Sequence, residues 1–385
     1  MKKKIVSVIL VAAMAVGCLA GCGSKEAKNE DAFYIGGIGP VTGDAAIYGT
    51  AVQNGAQIAV DEINEAGGIN GHQIEYNFQD DQGDPEKAAN AYNTLKDWGM
   101  QVLMGTVTTG PCVSVADLTA ADNMFQITPS ASSTDVIKND NVFQVCFTDP
   151  AQGTKSAQYI GEHKLATKVA VLYDSMADYN SGVHDAFVAA AEDNGLEVVA
   201  DEAYTTDSNT DYSVQLKKIK DSGAELLFLP NYYSDNALIL QQAHDAGMDD
   251  IKFFGVDGMD GILGVENFDT SLAEGVMLLT PFSATSDDEK SQAFVKAYED
   301  ANKDEVPNQF AADAYDVLYA MQLAATDAQI TPDMSNEDIS AAMSASMLNI
   351  ELDGLTGKTK WTEDGECDKE PKAFEIKDGA YAEMK

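Results

Sequence analysis

Short apolar runs alternate with longer amphipathic segments along most of this chain. Runs such as 102–104 and 226–229 have the length and composition of buried strands, whereas 45–66 and 86–97 carry apolar residues at helical spacing. Strands that alternate with helices in this way form parallel sheets with helices on both faces. The rhythm pauses at Asp149-Pro150 and then resumes. We therefore expect two α/β lobes with a cleft between them.

A hydroxyl-rich loop follows the apolar run at 102–104. Gly105 ends the run, residues 106–110 read Thr-Val-Thr-Thr-Gly, and Pro111 stands where a helix would begin. The free backbone N–H groups of a helix start, together with nearby hydroxyls, favour the binding of a small anion. This loop is therefore the first candidate for a ligand site.

Two more segments have the same position relative to a predicted strand. A second hydroxyl-rich loop, 129–133, follows the predicted strand 124–128, and a glycine-rich turn, 39–48, follows the strand that begins near Phe33. Loops beyond the carboxyl ends of parallel strands gather on one edge of the sheet. All three segments are therefore expected to converge on one ligand.

The chain contains no arginine, since all 24 of its basic residues are lysines. A carboxylate in the ligand cannot be held by the planar fork of a guanidinium group. Hydroxyls, backbone N–H groups or a lysine must bind it instead.

Composition excludes several classes of function. The 385 residues suffice for two domains, and a formal charge of −39 argues against nucleic acid or an anionic membrane surface as partner. The five cysteines include no C-x-x-C, and the four histidines are scattered, so we expect neither a metal nor another cofactor. The spacing of Gly37, Gly39 and Gly43, with Pro40 between them, does not fit a dinucleotide-binding loop. Nor do residues 80–84 fit a calcium loop; they predict a turn in which Asp84 caps the next helix.

The N-terminus has the features of a bacterial lipoprotein signal. Lys2-Lys3-Lys4 is followed by the apolar run 5–16, which is too short to span a bilayer comfortably. Leu-Ala-Gly-Cys at 19–22 resembles the lipoprotein box, in which cleavage precedes the cysteine. We therefore predict a signal peptide over 1–21, a lipid anchor at Cys22, a polar tether over 22–31 and an extracytoplasmic location at the cell membrane.

Several motifs resemble one family of proteins over nearly the whole mature chain. They are Ile-Gly-Pro-Val-Thr-Gly at 38–43, Asn-Glu-Ala-Gly-Gly-Ile-Asn-Gly at 64–71, Ile-Thr-Pro-Ser-Ala at 127–131 and Gly-Val-Asp-Gly at 255–258. In this order they resemble the leucine/isoleucine/valine-binding type of solute-binding proteins, which serve ATP-driven transporters. The resemblance implies the type I periplasmic binding protein fold, with two Rossmann-like lobes joined by three crossover segments. It places lobe 1 at 32–149 plus about 283–355, and lobe 2 at about 150–282 plus 356–385.

The resemblance also implies which residues contact the ligand. Each is assigned to a position in this sequence through the matched motifs. The residues implied to bind the ligand carboxylate are Thr109, Ser130 and Ser132. Asp257 is implied to bind the ligand ammonium group, at a position where the family often has the longer Glu. The residues implied around the ligand side chain are Tyr48, Val107, Tyr179, Tyr232 and Phe310. Tyr179 and Tyr232 are both expected in loops that follow strands.

Positions that form a disulfide in some members of the family hold Gly83 and Thr108 here. The three cysteines at 112, 146 and 367 then leave at least one free thiol, or are all reduced.

The implied function is the capture of an amino acid, branched-chain or otherwise apolar, and its delivery to an ABC permease by a monomeric receptor. The alternatives are a receptor of the same fold for a neutral amide, a urea-like compound or an aromatic acid, and a sensory ligand-binding protein. We expect no enzymatic activity, because the sequence has no Gly-x-Ser-x-Gly elbow, no His–Glu metal motif and no phosphate-binding loop.

Overall fold

The computed structural model describes residues 28–303 and 305–384. Its contacts divide the chain into Met1–Glu30 and the compact unit Asp31–Lys385, whose fold is given below. The predicted signal peptide, the lipid-bearing Cys22 and most of the tether lie outside the described residues. Within the described residues, no helix has both the length and the apolar character needed to cross a membrane.

Consecutive strand–helix pairs build a five-stranded sheet from the first part of this unit. In chain order the elements are β1 (Ala32–Gly39), α1 (Ala46–Glu65), β2 (Gln73–Asp80), α2 (Pro85–Trp98), β3 (Val102–Gly105), α3 (Thr109–Ala121), β4 (Phe125–Thr128) and β5 (Val142–Gln144). Neighbouring strands are all parallel, in the order β2-β1-β3-β4-β5. The strand order reverses between β1 and β3, which leaves a crevice beyond their carboxyl ends.

A second sheet repeats this arrangement. Its first elements are α4 (Asp149–Glu162), β6 (Lys168–Asp174), α5 (Asp178–Ala191), β7 (Glu197–Tyr204), α6 (Ser213–Ser222), β8 (Leu226–Leu229), α7 (Tyr233–Asp245), β9 (Lys252–Gly255) and β10 (Met277–Thr280). These five strands are parallel, and their order reverses between β6 and β8. The second sheet therefore has a crevice of the same kind.

The rest of the chain returns to the first sheet and then completes the second. The remaining elements are α8 (Glu289–Ala301), α9 (Gln309–Asp327), α10 (Asn336–Met347), β11 (Leu352–Gly354), β12 (Gly357–Thr359), β13 (Lys372–Lys377) and β14 (Ala380–Glu383). Helix α9 packs along α1 and α10 contacts β4, whereas β13 and β14 add two antiparallel strands beside β10. The chain thus crosses between the sheets after β5, β10 and β12. This confirms the predicted fold of two parallel-sheet cores joined by three crossings.

One predicted boundary is wrong at a candidate ligand contact. Tyr179 lies in the first turn of α5, which begins at Asp178, and not in a loop. The acidic Asp178 in that turn interacts favourably with the free N–H groups of the helix start, although Asp-Tyr-Asn alone is typical of a turn. Tyr232 does lie outside a helix, as the N-cap of α7. The predicted cap on α2 is confirmed, since Asp84 accepts from the Lys87 N–H at 2.9 Å.

Candidate functional site

Residues from both sheets line one small cavity beyond the carboxyl ends of their strands. Its volume is about 10 Å³, which is room for about one water molecule. Its lining consists of Tyr48, Val107, Thr108, Thr109, Ser130, Tyr179, Tyr232, Asp257, Gly258 and Phe310. Eight of the nine residues that the sequence predicts as ligand contacts are therefore brought together, and Ser132 is the exception.

The hydroxyl-rich loop after β3 forms one wall of this cavity. Gly105 directs the loop with a φ of +131°, and a Cβ atom there would stand 2.6 Å from the carbonyl oxygen of Ile38, so only glycine fits. Thr108 is the N-cap of α3 and Thr109 begins the helix. The Thr108 hydroxyl is buried and has no hydrogen-bond partner among the described residues. A buried hydroxyl without a partner is costly, so this oxygen is suited to pair with a ligand.

The two serines of the second hydroxyl-rich loop differ in position. Ser130 lines the cavity, but its hydroxyl donates to the Val107 carbonyl oxygen at 2.6 Å, which leaves its backbone as the part that can meet a ligand. Ser132 is buried away from the lining, and its carbonyl accepts from the Asp149 N–H at 2.9 Å. The role of Ser132 in ligand binding stays a prediction.

Asp257 provides the one carboxyl group that the described residues contribute to the lining. It follows β9, is 4% exposed, and accepts from the Tyr179 hydroxyl at 2.6 Å and from the Gln152 amide at 3.0 Å. Burial raises the pKa of Asp257 to about 7, with a smaller contribution in the same direction from Asp313 and an opposing one from the Tyr179 hydrogen bond. A carboxylate that is buried among neutral donors gains most when a cation arrives.

Two polar residues near Asp257 were missed by sequence reasoning. Gln152 lies one turn into α4, and Asp149 begins the same helix with its Oδ1 buried and without a hydrogen-bond partner in the part of the chain that the structure describes. Burial raises the pKa of Asp149 well above its usual value. Polar residues in the first turn of an amphipathic helix predict a solvated end, so neither residue carried a signal in the sequence.

Aromatic rings form the rest of the cavity wall. Tyr179 and Tyr232 stack with their ring centroids 5.0 Å apart, and Tyr48 packs edge-on against Tyr232 at 5.5 Å. Phe310, in the first turn of α9, lies 4.2 Å from Tyr48 between ring centroids. Together with Val107 of the hydroxyl-rich loop, these rings make much of the lining apolar.

Tyr48 and Gln309 connect the two sides of the cavity directly. The Tyr48 hydroxyl donates to the carbonyl oxygen of Gly258 and accepts from the Tyr233 N–H at 3.2 Å. Gln309, at the start of α9, donates from its side chain to the carbonyl oxygen of Asp257 at 3.2 Å. Helices α1 and α9, which pack on the first sheet, are thereby hydrogen-bonded to the loop at 257–258, which follows a strand of the second sheet.

The chemistry of this lining is that of a binding site. The lining combines hydroxyls and the N–H groups of a helix start with a carboxyl group and aromatic rings. Among the described residues, no group of three His, Cys, Asp or Glu side chains is placed to hold a metal ion. The buried cysteines at 112, 146 and 367 are all free thiols, so of the two predicted alternatives the fully reduced one is found.

Comparisons with known proteins agree with this geometry. Residues 32–380 match the periplasmic binding protein family. The Leu/Ile/Val-binding protein BraC3 of Rhizobium johnstonii is 30% identical over 86% of this chain and 88% of its own length. Leu/Ile/Val-binding protein homolog 3 of Brucella melitensis is 37% identical, over 56% of this chain and 58% of its own length.

Solved structures share the fold. The branched-chain amino acid transporter substrate-binding protein LivJ of Streptococcus pneumoniae, crystallised with isoleucine, has a TM-score of 0.82 and 28% identity over 92% of this chain and all of its own. A solute-binding protein from R. palustris in complex with benzoate has a TM-score of 0.79 at 20% identity, which shows the fold alone. The chain therefore belongs to the periplasmic binding protein family, as a solute-binding protein related to the Leu/Ile/Val-binding proteins.

Proposed function

We propose that this protein captures a free amino acid with an apolar, branched-chain or similar side chain and delivers it to an ABC permease without chemical change. The observation that carries the proposal is the position of Asp257 in the cavity. It is a buried carboxyl group, oriented by Tyr179 and Gln152, in the same lining as a helix start with an unpartnered hydroxyl. These are the two ends of a zwitterion-binding site.

The ammonium group would bind at Asp257. Charge-assisted hydrogen bonds are stronger than neutral ones, and exclusion of water strengthens them further. Both carboxyl oxygens already accept one hydrogen bond from the protein, and each keeps a second lone-pair direction for the ligand.

The carboxylate group would bind at the start of α3. The Thr108 hydroxyl, Thr109 and the backbone of Ser130 line this end, where the first N–H groups of the helix have no intrahelical partner. No lysine of the described segments 28–303 and 305–384 lines the cavity, which agrees with recognition by hydroxyl and N–H groups rather than by a cation. Thr108 joins Thr109 and Ser130 as a proposed carboxylate contact.

The ligand side chain would lie among Val107, Tyr48, Tyr232 and Phe310. Val107 and Phe310 have no polar side-chain atom, and the Tyr48 hydroxyl is already paired with Gly258 and Tyr233. An apolar side chain is favoured there, since a charged one would lose its water without gaining a partner.

Capture would proceed by closure of lobe 1 (32–149 and about 283–355) on lobe 2 (about 150–282 and 356–385). Hinge motion at the three crossings would bring Tyr48 and α9 against the loop at Asp257 and present a new surface to the permease. Members of this family act outside the cytoplasmic membrane. Lipidation of Cys22 would hold this monomeric receptor at the membrane surface, and a Cys22→Ser variant that stayed membrane-bound would contradict the anchor.

A thermal-shift screen of the protein against all amino acids, followed by calorimetry, tests the proposal. A ligand at 100 times its Kd adds about 2.7 kcal/mol to the free energy of unfolding. We expect apolar amino acids to stabilise the protein, and their decarboxylated and deaminated analogues to stabilise it far less. Stabilisation only by neutral amides, urea-like compounds or aromatic acids would reject the amino acid and select the alternative class of ligand. Absence of uptake in cells that carry the cognate permease would favour a sensory role.

A further inference from the structure

A second, larger crevice opens beside the ligand cavity, and the proposed function does not use it. Its volume is about 860 Å³. Its walls are the first turns of α1, the segment 260–264, the crossing after β10, parts of α8 and the segment before α9, and the start of β14. It therefore lies between elements of both sheets.

An unpartnered carboxylate oxygen lies at the base of this crevice. Asp260 is 1% exposed, and its Oδ2 accepts from the Gln309 N–H at 2.8 Å. Its Oδ1 is buried and has no hydrogen-bond partner in the described part of the chain. The Tyr381 hydroxyl is also buried and has no hydrogen-bond partner within normal distance among the described residues. It lies close enough to Asp260 to lower the pKa of that carboxyl group. Two unpaired oxygens thus border the same space.

The walls above these oxygens are apolar, and the charges around them are all negative. Ile47, Leu263, Phe282 and Val295 supply much of the wall. Among the described residues, the charged ones in the lining are Asp260, Glu299 and Glu305, with no lysine beside them. An anionic ligand would meet three carboxylates without a compensating cation, whereas an organic cation would find a buried acceptor and an apolar surface.

We propose that this crevice is a second binding site, for a protonated primary amine with a short apolar chain. The ammonium group would donate to Asp260 Oδ1 and to Tyr381 Oη, two neighbouring buried oxygens that accept no hydrogen bond from the described residues, and the chain would lie against Ile47 and Leu263. The absence of a carboxylate partner distinguishes this site from the amino-acid cavity.

Occupancy of the two sites would be coupled. Asp260 and Tyr381 belong to the second sheet's side of the crevice, whereas Ile47 and Val295 belong to helices on the first sheet's side. A ligand that contacts both sides favours the closed arrangement that the amino acid also favours, so each should strengthen binding of the other by the same factor. This coupling rests on the proposed amino-acid binding, whereas the amine site itself does not.

Calorimetry on the full-length protein with 3-methylbutylammonium and with its neutral counterpart 3-methylbutanol tests the site. We expect the amine to bind with one-to-one stoichiometry and the alcohol at least about tenfold more weakly, since only the amine pairs with a buried carboxylate. Asp260→Asn keeps an oxygen acceptor for the Gln309 N–H and should weaken amine binding at least about tenfold. Tyr381→Phe should weaken it less, and Asp221→Asn, an exposed change on α6, should have no effect.

Three results would overturn the proposal. Equal affinity for amine and alcohol would show an apolar crevice without charge recognition. Loss of amine binding in Asp257→Asn but not in Asp260→Asn would place the amine in the amino-acid cavity. Binding of amino acids without any binding of the amine would reject this site alone, whereas binding of the amine without binding of amino acids would reject the proposed function alone.

Discussion

The Tyr179 hydroxyl donates to Asp257 Oδ1 at 2.6 Å, and the same hydroxyl oxygen accepts from the Gly258 N–H at 3.0 Å. One phenol therefore fixes both the carboxyl group and the backbone of the loop after β9. Because Tyr179 belongs to the helix after β6, the position of the acid depends on two separate loops.

Replacing Asp257 by Asn should weaken amino-acid binding at least about tenfold, because the ligand ammonium loses its charged partner in a buried site. Stability without ligand should be kept or improved, since a neutral side chain is easier to bury. Calorimetry and thermal unfolding measure the two effects, with exposed Asp221→Asn as the control. If Asp257→Asn bound the amino acid with wild-type affinity, Asp257 would not be the residue that binds the ammonium group.

Thr108→Val should separate binding from stability. The change removes a buried hydroxyl that has no partner in the described residues, so the free energy of unfolding should stay the same or rise. Affinity for the amino acid should fall by roughly 1–3 kcal/mol, because the ligand carboxylate loses one donor. Thr359 is a matched control, since its hydroxyl is also buried and unpartnered but lies outside the cavity. Equal effects of Thr108→Val and Thr359→Val on affinity would argue against a contact with the ligand.

Binding and stability should respond to pH in opposite directions. The pKa of Asp257 is raised from 3.8 to about 7, so the folded state binds more protons than the unfolded state between these values. The free energy of unfolding without ligand should therefore fall as pH rises through this window. Burial also raises the pKa of Asp81 to about 7 and of Asp260 to about 6, which adds slope of the same sign.

Affinity for the amino acid should instead rise over the same window, because the ammonium needs the ionised carboxylate of Asp257. Unfolding temperatures and calorimetric Kd values at pH about 5.5 and about 8 report both trends. The Asp257→Asn variant should lose most of the pH dependence of affinity and keep much of that of stability. An affinity that is independent of pH in the wild type would contradict an ammonium bound at Asp257.

Gly258→Ala should disturb the carboxyl group indirectly. A Cβ atom at this position would stand 2.7 Å from the Tyr179 hydroxyl oxygen and 3.0 Å from its ring, so Tyr179 must move away from Asp257. We expect weaker ligand binding together with a loss of stability of roughly 1–3 kcal/mol from overpacking. Gly264→Ala is the control in the neighbouring segment, where the nearest atom is 3.8 Å away. Unchanged ligand binding in Gly258→Ala would show that the position of Tyr179 does not matter.

Lys369→Met should destabilise the region where the third crossing meets α9. The Lys369 ammonium is fully buried, lies 3.1 Å from the Asp313 carboxyl group and donates to the Thr356 hydroxyl. Its removal leaves buried carboxyl groups at Asp313 and Asp316 without a cation, which typically costs about 3–5 kcal/mol. Denaturant unfolding measures the loss, and exposed Lys360→Met is the control. A difference below about 1 kcal/mol between the two variants would show that Asp313 is neutral in the folded protein.

The fold and much of the site could be predicted because strand–helix alternation fixes where loops gather. Topology brings residues that follow strands, such as Asp257 and Tyr232, to that edge, whereas their proposed contacts with the ligand came from the resemblance to the Leu/Ile/Val-binding type. Gln152 and Asp260 could not be predicted in this way. Gln152 lies one turn into the helix after the first crossing and donates to Asp257, and Asp260 accepts from the Gln309 N–H at the start of α9. The resemblance implied a contact through the backbone of Ser130 and through the hydroxyl of Ser132. In the structure the Ser130 hydroxyl donates to the Val107 carbonyl oxygen, whereas the Ser132 carbonyl accepts from the Asp149 N–H.

The paired contacts of Tyr48 have a kinetic consequence. Its hydroxyl lies between Gly258 and Tyr233, and its ring covers Phe310, so a solute reaches Asp257 only after these bonds break. The observed association rate should then level off at high solute concentration, at the rate of this opening. Tyr48→Phe keeps the ring but removes the hydroxyl that bonds Gly258 and Tyr233. It should raise the maximal observed association rate and shorten the residence time of the bound solute.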